Sequence, residues 1–149
     1  VSNPCCSGEF LRHHHGAVIV MSGKIVASGR NSSRNYSCDG FMHNCSACHA
    51  EIDALRNLYK SVSLKAKQRV KNGAFYEAYC KKTTLYIARH HKSGKYINSS
   101  PCKECLTFIQ KSKIKKIIFA NDENTFIKTK PEKYDTNHYS SCSLKKLTL

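Results

Sequence analysis

The sequence predicts an α/β domain, in which strands alternate with helices along the chain. Residues 16–21 and 25–29 are short apolar runs rich in β-branched side chains, and the turn residues between them predict a β-hairpin of buried strands. Residues 83–89 and 114–120 are two further strand candidates. A helix that begins at Pro101 is predicted between them, and the tight connection indicates a parallel strand–helix–strand crossover.

The connecting segments are less uniform. Residues 30–48 are polar and rich in Asn, Ser, Gly and Cys, which predicts a loop, and loops of this length tend to be functional. A helix is predicted over residues 50–58, where apolar side chains recur at helical spacing. Residues 61–82 are basic with scattered apolar side chains. They fit an extension of that helix or a short helix followed by a loop.

Two shorter features precede and complete the crossover. Residues 90–95 predict a turn around Gly94, and residues 96–98 predict a short return strand. Pro101 is predicted in the first turn of the following helix, where its missing N–H costs no hydrogen bond.

The length of 149 residues predicts one domain over residues 1–149, with its core at about 16–121 and an unassigned tail at 122–149. No run of about 18 apolar residues indicates a membrane span. No signal-peptide pattern opens the chain, so we expect a cytoplasmic protein without a membrane partner.

The charge is strongly positive, with 25 Lys and Arg against 10 Asp and Glu, formally +15. Such a field attracts phosphates on nucleotides, nucleic acids or anionic surfaces. Lysines are spread along most of the chain, however, and charge alone favours a solvated basic surface.

Nine cysteines are many for this length. In a small secreted protein they would indicate disulfides, although an odd number leaves one thiol over. A Cys-x-x-Cys pair beside other ligand types favours metal binding and reduced thiols here. The run His13-His14-His15 is a weak metal candidate, because adjacent side chains on a strand or helix cannot all face one way.

The strongest chemical pattern combines His49 and Glu51 with Cys102 and Cys105. One imidazole and two thiols are suitable ligands for a zinc ion that keeps its fourth position open, and both thiols would lie in the first turn of a helix, whose positive end favours thiolate. Glu51 can transfer a proton beside such an ion. A structural zinc with Cys48 as fourth ligand, or buried thiols without metal, are the alternatives, and neither gives Glu51 a role.

These residues resemble the motif of the cytidine/deoxycytidylate deaminase superfamily. His49-Ala50-Glu51 followed by Pro101-Cys102-x-x-Cys105 is similar to its H-x-E…P-C-x-x-C signature. The similarity extends to the flanking strands and covers residues 16–121.

The resemblance implies a three-layer α/β/α fold with a mixed five-stranded sheet. It implies hydrolytic deamination at C4 of a cytosine base, with zinc held by His49, Cys102 and Cys105 and with Glu51 as the proton shuttle. It also implies that the Ala50 backbone and Asn31 contact the substrate. Members of the superfamily are often oligomers, so we expect a homo-oligomer.

A second group of ligand types precedes the motif and consists of Cys38, His43, Cys45 and Cys48. Some deoxycytidylate deaminases resemble this arrangement and carry an extra structural zinc. The group therefore predicts a second zinc, with reduced loop cysteines as the alternative. Cys5, Cys6 or the histidine run are open candidates for further ligands.

Three functions remain open from the sequence. The first is deamination of dCMP to dUMP, a step of pyrimidine nucleotide metabolism, with the phosphate near Arg30 and Arg34. The second is deamination of cytosine or adenine in single-stranded DNA or RNA. The net charge supports it, as do aromatic residues interleaved with lysine, namely Phe75, Tyr76, Tyr79 and Tyr96. The third is a non-catalytic zinc domain that binds nucleic acid, against which Glu51 argues.

Overall fold

The computed structural model describes residues 13–31, 49–65, 72–91, 93–123 and 125–136. Within these residues no helix combines the length and the apolar character needed to cross a membrane. The segment with Cys38, His43, Cys45 and Cys48, together with Arg34 and residues 137–149 of the tail, lies outside the described residues.

The described chain forms a five-stranded sheet and three α-helices. The strands are β1 (His13–Met21), β2 (Lys24–Arg30), β3 (Thr84–His91), β4 (Lys116–Ala120) and β5 (Phe126–Thr129). The helices are α1 (Ala50–Lys65), α2 (Asn72–Cys80) and α3 (Lys103–Ser112), followed after β5 by a 3₁₀ turn at Pro131–Lys133.

The sheet is mixed and has the order β2-β1-β3-β4-β5. β1 pairs antiparallel with β2 and with β3, β3 pairs parallel with β4, and β5 returns antiparallel along β4. The predicted hairpin, the parallel crossover through α3 and the mixed five-stranded sheet are therefore confirmed.

One face of the sheet carries the core. Side chains alternate along each strand, so Ala17 and Ile19 of β1 face the same way as Leu85 and Ile87 of β3, and all four are buried. Residues of α1, α2 and α3 belong to the same buried cluster. On the opposite face the side chains are less covered, and Tyr86 is 42% exposed. The described residues thus form the sheet and one helical layer of the predicted arrangement.

Gly29 sets the distance between α1 and the sheet. A Cβ at this position would lie 2.8 Å from the Ala54 Cα and closer still to the Ala54 nitrogen and the Ala50 oxygen. Only a residue without a side chain lets the first turns of α1 approach β2 this closely. The residue type at Gly29 therefore fixes where α1 begins relative to the sheet.

Several elements extend beyond their predicted bounds. β1 begins at His13, so it contains the whole histidine run, because its first residues pair with the end of β3 at His90 and His91. α1 continues to Lys65 and a separate helix follows as α2, which resolves the segment that the sequence left open. β5 lies in the predicted tail, where no strand was expected.

One local prediction is wrong, and another predicted more strand pairing than the structure contains. Pro101 is not in the first turn of α3, since Cys102 is the N-cap, with extended backbone angles of φ −72° and ψ 168°, and α3 begins at Lys103. The cap forms there because the Cys102 sulfur accepts the backbone N–H of Cys105. The predicted return strand at 96–98 is a single bridge between His90 and Tyr96.

Candidate metal centre

The first side of the centre is the N-terminus of α1. The His49 carbonyl accepts the backbone N–H of Asp53 at 3.0 Å, so His49 immediately precedes the first turn and its imidazole is at the helix start. Glu51 lies within that turn and is only 3% exposed. Ala50, between them, is fully buried. The contact of α1 with Gly29 therefore also positions His49 and Glu51.

The second side is the N-terminus of α3. The Cys102 sulfur caps the helix by accepting the Cys105 backbone N–H at 3.5 Å, and both cysteines are buried. Spacing of three residues places the two sulfurs one turn apart. The positive end of a helix macrodipole and the backbone N–H both favour the thiolate form of Cys102.

Ser99 holds the segment that leads into this cap. Its hydroxyl donates to the Ile87 carbonyl at 2.8 Å and accepts the Ala120 backbone N–H at 2.9 Å. The backbone N–H of Ser99 donates to the Ala120 carbonyl. The chain between β3 and α3 is thereby fixed to the middle of β3 and to the end of β4, three residues before Cys102. Ser99 was not predicted as part of the site, because a serine two residues before a proline carries no specific signal.

His49, Cys102 and Cys105 converge on one point. The His49 Nδ1 lies 3.2 Å from the Cys105 sulfur and 3.4 Å from the Cys102 sulfur, and the three ligand atoms lie within 4.8 Å of one another. In a tetrahedral zinc site the neighbouring N and S ligand atoms are roughly 3.6 Å apart. One nitrogen and two sulfurs are also the donor types that zinc prefers. The residues therefore fit a zinc ion with one position left for a further ligand.

The electrostatics of these side chains are tightly coupled. Burial lowers the pKa of the His49 imidazole, but its hydrogen bond to Cys102 and the charge of that sulfur outweigh burial and raise the pKa to about 9. The pKa of Cys102 falls to about 4, mainly because the Cys105 thiol donates a hydrogen bond to its sulfur, with a further contribution from His49. Cys102 is thus a thiolate at neutral pH, the form that binds metals.

Glu51 lies beside this group without being one of its three ligands. Burial is the largest influence and raises the pKa of its carboxyl, against the opposing charge of His49. Its Oε2 atom is buried and has no hydrogen-bond partner among the described residues. A buried carboxyl oxygen needs such a partner. Glu51 can therefore hold or release a proton toward a molecule bound at the centre.

Asn31 lies at the end of β2, on the same face of the sheet as Gly29. Its side-chain oxygen accepts the His15 backbone N–H at 3.2 Å, and its own N–H donates to the His15 carbonyl. Arg30 faces away from α1, and its backbone N–H donates to the Asp53 carboxylate at 3.1 Å. The structure thus places Asn31, and not the side chain of Arg30, on the helical face of the sheet.

Arg89, near the end of β3, was also missed in the sequence analysis. It is the residue opposite His15 across the β1–β3 pair, and it shares the helical face with Ile87. An arginine at the end of a predicted strand suggests an ordinary surface residue, and only the pairing of β3 with β1 shows its position.

The fold has a solved counterpart. A cytidine deaminase from Burkholderia pseudomallei is similar in structure, with a TM-score of 0.50 and 16% identity over 87% of this chain and 84% of that chain. A dCMP deaminase from the cyanophage S-TIM5, in apo form, has a TM-score of 0.40 and 26% identity over 72% of this chain and 65% of that chain. No curated protein sequence gives a significant match.

The family described as "Cytidine and deoxycytidylate deaminase zinc-binding region" matches residues 6–121. This range includes both helix N-termini and every residue of the centre. The match and the convergence of His49, Cys102 and Cys105 beside a buried Glu51 agree with each other. The chain belongs to the family of proteins with a cytidine and deoxycytidylate deaminase zinc-binding region.

Proposed function

We propose that this protein is a zinc-dependent hydrolase that deaminates the cytosine base of a nucleotide, with dCMP as the first candidate substrate. The observation that carries the proposal is the buried carboxyl of Glu51, which lies beside the three converging side chains and has one oxygen without a hydrogen-bond partner among the described residues. A purely structural zinc site does not need such a carboxyl, whereas hydrolysis needs a group that moves protons.

His49, Cys102 and Cys105 would hold the ion, which when bound supplies a Lewis acid that lowers the pKa of water. Glu51 would accept the proton of the attacking water and deliver it to N3 of the cytosine ring. The same carboxylate would then take the remaining proton of the added oxygen and pass it to the departing amino group, so that water and cytosine give uracil and ammonia. Its burial raises the pKa of Glu51 and favours the protonated form that the second step requires.

Asn31 and Ala50 would position the base and its sugar. Ala50 is the residue between His49 and Glu51 and is buried at the start of α1. Asn31 lies across the sheet end, with its side-chain oxygen held by the His15 N–H. That bond orients the amide, which favours one direction of approach for a polar group of the substrate.

Three further expectations stay predictions. The second zinc at Cys38, His43, Cys45 and Cys48 falls on residues outside the described part of the chain. A homo-oligomer and a cytoplasmic location also remain predictions.

A second candidate is deamination of cytosine in a single strand of DNA or RNA. One observation favours it: the rings of His14 and His90 stack with centroids 5.1 Å apart, and Tyr96 meets His90 edge-on at 6.2 Å. Tyr96 is 63% exposed. Exposed rings on a basic surface are typical of strand binding. Tyr76, by contrast, is buried in the core and cannot stack a base.

The test is a substrate panel for the zinc-loaded protein. dCMP, dCTP, deoxycytidine and a cytosine-containing single strand are each incubated with it, and the uracil product is quantified by chromatography. Uracil from dCMP supports the first candidate. Uracil from the strand alone selects the second, and strand binding without any uracil supports a non-catalytic zinc domain.

A further inference from the structure

Three residues form one row across the end of the sheet. Asn31 follows β2, His15 lies on β1 and Arg89 lies on β3. Hydrogen bonds join Asn31 to His15, and His15 is the register partner of Arg89. All three share the helical face, because they alternate with the outward-facing positions of their strands. We refer to them as the N31–H15–R89 row.

The row lies directly beyond the N-terminus of α1. The preceding row on the same face is Gly29, Ala17 and Ile87, and Gly29 contacts the first turns of α1. Successive residues on one face of a strand are roughly 7 Å apart. The N31–H15–R89 row is therefore displaced by that distance toward the side on which α1 begins, where His49 and Glu51 lie.

Arg89 carries a positive charge in this row, and no carboxylate of the described residues pairs with its guanidinium. Its Nε atom is buried and has no hydrogen-bond partner within the described part of the chain. Burial lowers the pKa of Arg89. Arginine nevertheless stays protonated in proteins, so the site presents a partly desolvated cation.

The surrounding strands do not supply the missing anion. None of the five strands contains Asp or Glu, and the described carboxylates lie on helices, in turns or in the segment after β5. A buried guanidinium is stabilised by a group that accepts two parallel hydrogen bonds, for which phosphate is well shaped. We propose that Arg89 binds the phosphate group of the cytosine nucleotide that the metal centre deaminates, an inference that rests on the proposed function.

Arg30 is a poorer candidate than Arg89 for binding the phosphate. Arg30 pairs with Gly16 on the opposite face of the sheet, so its side chain starts away from α1. Arg89 shares its row and its face with Asn31. A substrate whose sugar contacts Asn31 would have its phosphate within the same row, on the side of Arg89.

The test compares Arg89→Met with the wild-type protein on dCMP, deoxycytidine and a trinucleotide with a central cytosine. Losing a charge-assisted hydrogen bond should raise KM for dCMP about 10-fold to 100-fold with kcat little changed. Deoxycytidine has no phosphate, so its kcat/KM should stay within twofold. Arg89→Lys keeps the charge but loses the bidentate geometry, and we expect its KM for dCMP to lie between those of the wild type and Arg89→Met.

Binding of dUMP, measured by calorimetry, gives a readout besides turnover and should weaken in Arg89→Met by the same factor as KM rises. Lys128→Met removes one positive charge from an exposed position of β5 and serves as the charge-matched control. We expect no change in its KM for dCMP or in its affinity for dUMP. A loss restricted to the trinucleotide assigns Arg89 to a phosphodiester, and a loss on dCMP assigns it to the terminal phosphate.

Two outcomes contradict the inference in different ways. Equal losses on dCMP and deoxycytidine, or no loss on any phosphate-bearing substrate, overturn the role of Arg89 while wild-type turnover upholds the function. A wild-type protein that deaminates none of the three substrates overturns the function and this inference with it. Thermal unfolding of Arg89→Met and Arg89→Lys identifies any variant that fails to fold, and Arg89→Lys then decides the comparison.

Discussion

The side chains of the metal centre differ in their local environments, and the proposed division into zinc ligands and a proton carrier rests on these differences. The pKa of Cys102 is lowered to about 4, mainly by the hydrogen bond from the Cys105 thiol and further by His49, whose Nδ1 lies 3.4 Å from the Cys102 sulfur. Glu51 is buried in the first turn of α1, and one of its oxygens has no hydrogen-bond partner among the residues that the structure describes. These differences in environment allow the roles to be tested one residue at a time.

Glu51→Gln should abolish turnover and leave zinc in place. Glutamine keeps the size and the hydrogen-bonding capacity of the side chain but cannot exchange protons, so kcat should fall by a factor of about 10² to 10⁴. Uracil formation and zinc content, measured on the same preparation, check this. Glu77→Gln on the exposed side of α2 is the matched control and should behave like wild type. Full activity of Glu51→Gln would refute the proton-carrier role.

Cys105→Ala should lose bound zinc, because it leaves only one nitrogen and one sulfur in the group that converges on the ion. Cys80→Ala is the control. Cys80 is also a buried free thiol, but it lies in the main core, and burial raises its pKa to about 12, which disfavours the thiolate. Zinc content by elemental analysis should fall in the first variant and not in the second. Stoichiometric zinc in Cys105→Ala would show that the ligand set is wrong.

At the level of elements, the centre depends on where two helices begin. α1 is positioned by its close contact with β2 at Gly29, and α3 is preceded by a segment that Ser99 ties to β3 and β4. The ligands come from residues far apart in the chain, so their convergence rests on these two anchors.

Gly29→Ala should therefore damage both stability and metal binding. The added methyl group overlaps the backbone of Ala50 and Ala54, and overpacking of this kind costs about 1–3 kcal/mol of the free energy of unfolding. Gly16→Ala is the control, since nothing lies within 4 Å of a Cβ at that position. Urea denaturation and zinc titration of both variants provide the comparison. Equal stability of the two would contradict the account of how α1 is placed.

Some of the strands and helices were predictable from the sequence, and others were not. Strong apolar periodicity predicted β1, β2, β3, β4 and the start of α1, because those segments bury one face. The three histidines of β1 carry no apolar signal, and only their pairing with β3 makes them a strand. β5 is short and half polar at the sheet edge, and only tertiary pairing with β4 defines it.

For the site, local spacing and the family resemblance predicted one centre of His49, Glu51, Cys102 and Cys105, and the structure brings the three predicted ligands together. The capping role of Cys102, which moved Pro101 out of α3, was not predictable from the spacing. Arg89 was missed for a different reason. Its position depends on register between strands that are far apart in sequence, and no local pattern encodes that register.

On the scale of the whole molecule, acidic and basic side chains are distributed differently between the strands and the other described segments. The strands carry basic residues and histidines, whereas the described carboxylates lie on helices, in turns or after β5. The histidine-rich ends of β1 and β3 meet at the end of the sheet toward which the N31–H15–R89 row extends. A net charge of +15 attracts phosphate-bearing molecules, which agrees with the phosphate-bearing substrate that we propose.

The measurement that tests the central claim most directly is formation of dUMP and ammonia from dCMP by the zinc-loaded protein. We expect the two products in equal amounts, loss of the reaction when a chelator removes the metal, and its return when zinc is added back. Protein with full zinc occupancy that releases no uracil product from dCMP, deoxycytidine or a cytosine-containing strand would contradict the account.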